Sequence, residues 1–335
     1  MVQFHACFAF CDIIARERRP KPGARDFTRR CGQRRRVCAT IGIGYNRTKR
    51  WMIEMLVNMK AMLESARAGK YGVGFFNAVN VEMARAVIET AEELRAPVIV
   101  GTAQVLLPAM PMERVAEYLI PMAEQASVPV AVHYDHGLTF EKCMQALKLG
   151  FTSIMYDCST APYEENVARV AEMVKICRAM GATVEGELGH VGDNEGAGKL
   201  ENPSDYYTDP AVAADFVRRT GVDCLAVAVG NAHGDYKFPP KLDFGRITAI
   251  AEATGAPLVL HGGSGLSDAD FREAVKRGVA KINIFTDLDK AGRAGVEKGL
   301  AAGANTLMQL MPHAIEAMKG VVREKIELFG SAGKA

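Results

Sequence analysis

Residues 128–137 read VPVAVHYDHG, an apolar, valine-rich run that meets His133, Asp135 and His136 and stops at a glycine. The arrangement returns at 226–234 (AVAVGNAHG) and 257–263 (PLVLHGG), so His233 and His261 stand where His136 does. Short apolar runs bounded by turn residues read as strands buried on both faces, as in parallel sheets. All three imidazoles would then emerge at the carboxyl ends of strands, where parallel α/β folds place their chemistry. Three neutral imidazoles with one position left open form the ligand set of a catalytic Zn²⁺. Only the fold could bring residues so far apart in sequence together.

Working outward, the spacing predicts eight such strands: 72–77, 97–102, 128–135, 153–157, 183–188, 224–230, 257–261 and 279–284. Between them lie amphipathic segments such as VEMARAVIETAEEL, MERVAEYLIPMAEQ and YEENVARVAEMVKICRAMG. Most end at a glycine, and SDADFREAVKRG begins with a serine cap. Strand–helix alternation demands a parallel sheet, and eight units of this size argue for a (β/α)₈ TIM barrel. An open doubly wound sheet is the alternative, but the first strand lacks a dinucleotide-binding glycine fingerprint. A helix closed by Gly69 precedes the first strand, and 287–330 holds extra C-terminal helix. Residues 189–208 form a long polar, Gly-rich loop, a length usual for a lid or binding loop.

At 335 residues, 49% hydrophobic and 24% charged, the chain has an ordinary globular composition. No apolar stretch approaches the ~20 residues that span a bilayer. Charge is divided unevenly. Residues 1–50 hold 11 Arg and 2 Lys against 3 acids, a net of +10; the rest carries 28 basic and 36 acidic residues, a net of −8. The acidic body gives no sign of nucleic-acid or membrane binding. Residues 1–54 read as a basic extension expected to be disordered, and 55–335 as the barrel domain. An organelle-targeting segment, a basic nucleic-acid arm, and translation beginning at Met52 or Met55 stay open for the extension. Cys143, Cys158, Cys177 and Cys224 sit among apolar neighbours as small core residues, and the cysteine usage fits a reducing cytoplasm.

Other residues carry chemistry by type and place. Asp135 puts a carboxylate beside His136, on the opposite side of the local backbone, with His133 as a supporting residue. Gly262, Gly263 and Ser264 form a turn whose N–H and O–H groups can hold an anion. Asn283 and Thr286 close the eighth strand, beside the loops that form the usual phosphate site of this barrel. Glu187 stands at a strand end and Glu195 on the Gly-rich loop, where a carboxylate can move a proton.

These motifs, with FNAVN at 76–80, MYDCS at 155–159, YTDP at 207–210 and KINIFTD at 281–287, occur in one collinear order. In that order the chain resembles the class II, zinc-dependent ketose-bisphosphate aldolases from about Met55 onward. The resemblance implies a lyase that cleaves fructose 1,6-bisphosphate or tagatose 1,6-bisphosphate to dihydroxyacetone phosphate and glyceraldehyde 3-phosphate through a zinc-stabilised enediolate. It implies Zn²⁺ on His136, His233 and His261, with Asp157 and Glu187 near the metal. It implies Asp135 as the group exchanging a proton at the C4 oxygen and Glu195 as the one at C3. Asn77, Gly234, Gly262, Gly263, Ser264, Asn283 and Thr286 would contact substrate or its phosphate. Gly234 and Gly262 would also border a monovalent cation, Na⁺ or K⁺. A homodimer or homotetramer in the cytoplasm is expected.

The chain departs from many fructose-bisphosphate enzymes at Phe285, where those carry an acid, and at GDNE, where they read GGEE. Asn194 fits tagatose-type members, whereas Lys237 in GNAHGDYK fits the fructose group. Three rival readings stay open. A Schiff-base aldolase could use Lys281, a metallohydrolase barrel would need paired histidines at the first strand, and a non-catalytic sugar-phosphate-binding barrel would assist a partner aldolase.

Overall fold

The computed structural model describes residues 55–189, 191, 207–232 and 240–335. The expected extension over 1–54, the loop residues Asn194 and Glu195, and His233, Gly234 and Lys237 lie outside these.

Eight parallel strands pair in chain order, and the eighth pairs back to the first, closing a barrel. They are β1 Val73–Asn77, β2 Val98–Ala103, β3 Val130–Gly137, β4 Ser153–Tyr156, β5 Thr183–Leu188, β6 Cys224–Val227, β7 Leu258–Leu260 and β8 Val279–Ile284. Between them run α2 Val81–Glu93, α3 Met112–Gln125, α4 Phe140–Leu149, α5 Tyr163–Ala179, α6 Pro210–Thr220, α7 Phe244–Thr254 and α8 Asp268–Lys276. Helix α1 Met59–Gly69 precedes β1, while α9 Thr286–Ala301 and α10 Leu307–Phe329 follow β8. The barrel, its leading helix and its trailing helices all match the sequence expectation.

Local chemistry sets the ends of these elements. Asn80, Thr139, Asp209, Asp243 and Ser267 each accept a backbone N–H at the start of the helix they precede. At the other ends Gly150, Gly221 and Gly255 take left-handed conformations that turn the chain toward the next strand. Helix α1 differs from expectation. Gly69 stays helical and Lys70 takes the left-handed cap at φ 52°. A Cβ at Gly69 would lie 2.8 Å from the Tyr71 ring, so the glycine is needed for close packing rather than for the turn.

Two apolar clusters result. The larger fills the space between strands and helices; the smaller lies in the lower lumen, where Phe75, Ile99, Ala131, Ala226 and Val259 meet Met59, Leu63 and Ala66 of α1. Full burial of each large apolar side chain contributes roughly 1.5–3 kcal/mol. Helix α1 therefore plugs the amino-terminal mouth of the barrel, tied to it by Val57 N donating to Val130 O at 2.9 Å. The lumen is thus apolar below, and its polar residues lie toward the carboxyl ends of the strands.

Candidate functional site

Above the apolar plug the lumen turns polar in two tiers. Along a barrel strand alternate residues point inward. On β5 that brings Glu185 and Glu187 into the interior, both fully buried, and on β3 it brings His133 and Asp135. By the same alternation His136 should face outward, away from Asp135. Instead His136 adopts φ 46°, and the β3–β4 register shifts between Tyr134 and Gly137. A left-handed histidine costs on the order of 1–3 kcal/mol. The irregularity swings the ring to the carboxyl mouth, so His136 Nε2 lies 4.0 Å from Asp135 Oδ2. The two side chains therefore share one side of the site.

The upper tier gathers His136, His261, Asp135, Asp157 and Glu187. His136 Nδ1 donates to Asp157 Oδ2 at 2.8 Å, which aims Nε2 toward Asp135. Asp157 also accepts from Ser159 N at 3.0 Å and Ser159 Oγ at 2.7 Å. His261 Nε2 donates to Glu185 Oε1 at 2.8 Å, and its Nδ1 lies 3.6 Å from Glu187 Oε2. The His136 and His261 rings meet edge to face, 4.6 Å between centroids. One ligand atom from each of Asp135, His136 and His261 fits within 4.8 Å of the others, as does one from each of His136, Asp157 and Glu187. Glu187 Oε2 is buried without a hydrogen-bond partner among the described residues.

The electrostatics match this geometry. Burial opposes ionisation of Asp135, but the neighbouring charges of His136 and Lys281 hold its carboxyl well below the usual range. Burial likewise opposes a proton on His136, yet Asp135, Asp157 and Glu187 push its pKa up to about 10. Burial pushes Glu187 up to about 8, reinforced by the charge of Asp157. Burial takes His261 down to about 4, so its imidazole is neutral at pH 7. Several carboxylates crowd a small dry space with two imidazoles, a donor set suited to a divalent cation.

The lower tier is different. Lys281 Nζ lies 2.8 Å from both Glu185 Oε2 and Asn283 Oδ1, and 4.5 Å from the Phe75 ring centroid. His133 Nδ1 pairs with Ser153 Oγ at 2.9 Å, and its Nε2 stands 3.5 Å from Asp135 Oδ1. His133, Asp135 and Glu185 also lie close enough to share an ion, but the Lys281 ammonium already neutralises that group. Lys281 is fully buried beneath the site, its ammonium committed to Glu185 and Asn283.

The anion turn departs from its sequence reading in part. Gly263 N donates to Asn283 O at 3.1 Å, so that N–H is committed to β8. Ser264 Oγ accepts from Asp287 N at 3.2 Å, which fixes the turn against the first turn of α9, where Thr286 begins the helix. The Asn283 side chain does not face the turn. Strand alternation points it inward with Lys281, and Nδ2 reaches Asp135 at 3.3 and 3.4 Å. Gly262, at φ 61°, gives the chain its turn after β7. Asn77 ends β1 with its Oδ1 buried and lacking a hydrogen-bond partner among the described residues.

Sequence reasoning missed Glu185, Ser153 and Asn231, and considered Lys281 only as the amine of a rival Schiff-base reading. Asn231 accepts from Val229 N and donates to His261 O, pinning the histidine's backbone. Glu185 was visible only as a charged residue two positions before Glu187, on the same strand face.

A closed parallel barrel whose carboxyl mouth holds imidazoles and carboxylates at ion-sharing distance defines a (β/α)₈ protein with a site fitted to a divalent cation. Comparison with known proteins narrows this. The family described as "Fructose-bisphosphate aldolase class-II" matches residues 57–334, and the chain belongs to that family. It is 41% identical over 285 residues to a fructose-bisphosphate aldolase of Geobacillus stearothermophilus, covering 84% of this chain and 99% of the relative. It is 40% identical over 281 residues to a protein of Escherichia coli named Uncharacterized protein YdjI, covering 84% of this chain and 100% of the relative. The crystal structure of the YdjI aldolase superposes with a TM-score of 0.75 at 38% identity, covering 84% of this chain and 100% of that one. The family is metal-dependent, and the donor set at the mouth fits such an ion.

Proposed function

We propose that this chain is a zinc-dependent lyase that reversibly cleaves a ketose 1,6-bisphosphate into dihydroxyacetone phosphate and glyceraldehyde 3-phosphate. The reading rests above all on Asp135, His136 and His261 offering ligand atoms within 4.8 Å of one another in a member of the aldolase family. His136 through Nε2 and His261 through Nδ1 would hold the ion, with His233, outside the described residues, completing the set. When bound, the ion supplies Lewis-acid polarisation of the ketose C2 carbonyl.

The remaining work falls to the chain. Asp135, ionised beside the Lys281 ammonium, accepts the proton of the C4 hydroxyl as the C3–C4 bond breaks. Asn283 Nδ2 holds that carboxylate in place. Glu195 would return a proton to C3, yielding dihydroxyacetone phosphate. Asp157 and Glu187 would support the ion or offer it an alternative position. The Ser264 hydroxyl, the Gly262–Gly263 turn, Gly234, Thr286 and Asn77 would seat the substrate and its proximal phosphate. A monovalent cation, Na⁺ or K⁺, would border Gly234 and Gly262. The enzyme would act as a cytoplasmic homodimer or homotetramer.

A coupled assay offering fructose and tagatose 1,6-bisphosphates side by side tests this. We expect cleavage of at least one, abolished by a chelator and restored by zinc, with no trapping of substrate by borohydride. Activity that survives chelation, or a borohydride-trapped adduct, overturns the reading.

A further inference from the structure

One buried ammonium touches both arms of the site. Lys281 Nζ contacts Glu185 Oε2 and Asn283 Oδ1, each at 2.8 Å. Glu185 then uses its other oxygen, Oε1, to accept from His261 Nε2. Asn283, with its oxygen taken by the ammonium, has only its NH₂ left to turn toward Asp135. A carboxylate only accepts and an ammonium only donates, so the hydrogen-bond sense of each arm is fixed from below. His261 carries its proton on Nε2 and offers the Nδ1 lone pair to the mouth; Asp135 receives a donor rather than a competing oxygen.

We propose that Lys281 is a positioning residue that sets, through Glu185, the tautomer in which His261 presents Nδ1 and, through Asn283, the donor that holds Asp135. This deepens the metal-dependent reading of the same site and rests on it for the ion. Stability alone does not account for the pair. A buried ion pair is a poor source of stability compared with apolar side chains of similar volume. This one sits among Phe75, Cys224 and His133, where apolar packing was available: Cys224 Sγ is 3.8 Å and His133 Nε2 3.6 Å from Glu185 Oε2.

The mechanism makes an unusual prediction for E185Q. The ammonium claims the carbonyl oxygen of the new amide, so its NH₂ faces His261 Nε2. The imidazole proton must then move to Nδ1, the atom meant for the ion. In E185Q/K281M the ammonium is gone, and the amide can turn its oxygen back to His261. Removing the lysine should therefore repair what the glutamine damages, which no merely structural ion pair would do.

Two readouts test this. The ¹⁵N spectrum of the imidazoles in metal-free protein reports the His261 tautomer. Competition with a chelator gives the Co²⁺ dissociation constant. We expect Nε2–H in the wild type, Nδ1–H with Co²⁺ binding weakened by about 100-fold in E185Q, and Nε2–H with affinity within about 10-fold of wild type in the double variant. The double variant should also turn over about 10-fold more slowly at unchanged KM, because Asn283 has lost its anchor. A double variant no better than E185Q overturns the proposal. So does Nδ1–H at His261 in the wild type, a reading available even if E185Q fails to fold. Unchanged turnover in the double variant removes the Asn283 arm. Tautomers that shift as expected while Co²⁺ affinity stays constant would sustain the positioning role and sink the ion reading instead.

Discussion

Glu185 and Glu187 stand two residues apart on β5, both fully buried, yet their chemistry diverges. Burial works against ionising either one. Beside Glu185 the charge of Lys281, the hydrogen bond from His261 and the nearby imidazoles together outweigh it and hold the carboxyl down to about 2. Beside Glu187 the nearest strong influence is another carboxylate, Asp157, and the pKa climbs to about 8. The lower tier carries its own cation in the covalent chain. The upper tier answers its carboxylates with the raised proton affinity of His136, a proton that a bound dication would displace. One strand thus builds a closed electrostatic unit and an open one within two residues, and the open one is where a dication and a substrate can enter.

The largest break in this comparison comes from emptying the upper tier of imidazoles. His136→Ala and His261→Ala are each expected to abolish stoichiometric zinc, measured by metal analysis, and to cut cleavage by at least ~10³-fold, since metal polarisation is worth several kcal/mol. Retained zinc and turnover would move the ion elsewhere. A smaller loss is expected from Asp135→Ala, about 100-fold or more in cleavage with zinc still bound, because general base help is worth 10²–10⁴-fold. Near-normal turnover there would take Asp135 out of the proton transfer.

Glu187→Gln sharpens the contrast through pH. In the folded protein Glu187 keeps its proton to about pH 8, against a usual value of 4.5. Between those values the folded state binds more protons than the unfolded one, so metal-free stability falls as pH rises through that window. One such group contributes a slope of up to ~1.4 kcal/mol per pH unit. Urea denaturation of the metal-free variant should show that slope reduced; an identical slope means Glu187 is ionised in the fold. The smallest effect is expected outside both tiers. Thr306 caps α10 by accepting from Gln309 N, and Thr306→Ala should cost about 0.5–1 kcal/mol without changing zinc content or turnover. A loss of zinc in that variant would tie the tiers to the C-terminal helices.

The barrel was legible because β-rich apolar runs and capped amphipathic helices repeat eight times, and each of the eight strands lies within a few residues of its expected span. The mouth was legible wherever a chemistry-bearing residue met a glycine, as at His136 and His261. Alternation alone misled at His136, since nothing local in HYDHG announces a positive φ and a register shift. At Asn283 the structure adds a contact that its motif did not announce, the side-chain NH₂ turned inward to Asp135. Glu185 was not singled out because a buried charge looks like a surface charge in sequence. It and Lys281 lie on β5 and β8, and only the folded lumen brings them together. Whether His233 and Glu195 join the cluster lies outside the described residues.

The position of Lys281 on the final strand has a consequence for assembly. Without β8, Glu185 would keep its contacts to His261 and His133 but lose the ammonium that neutralises it, at the cost that burying a carboxylate carries. Seating β8 delivers the missing positive charge and seals the stave cylinder in a single act. Ring closure and internal neutralisation therefore depend on the same strand.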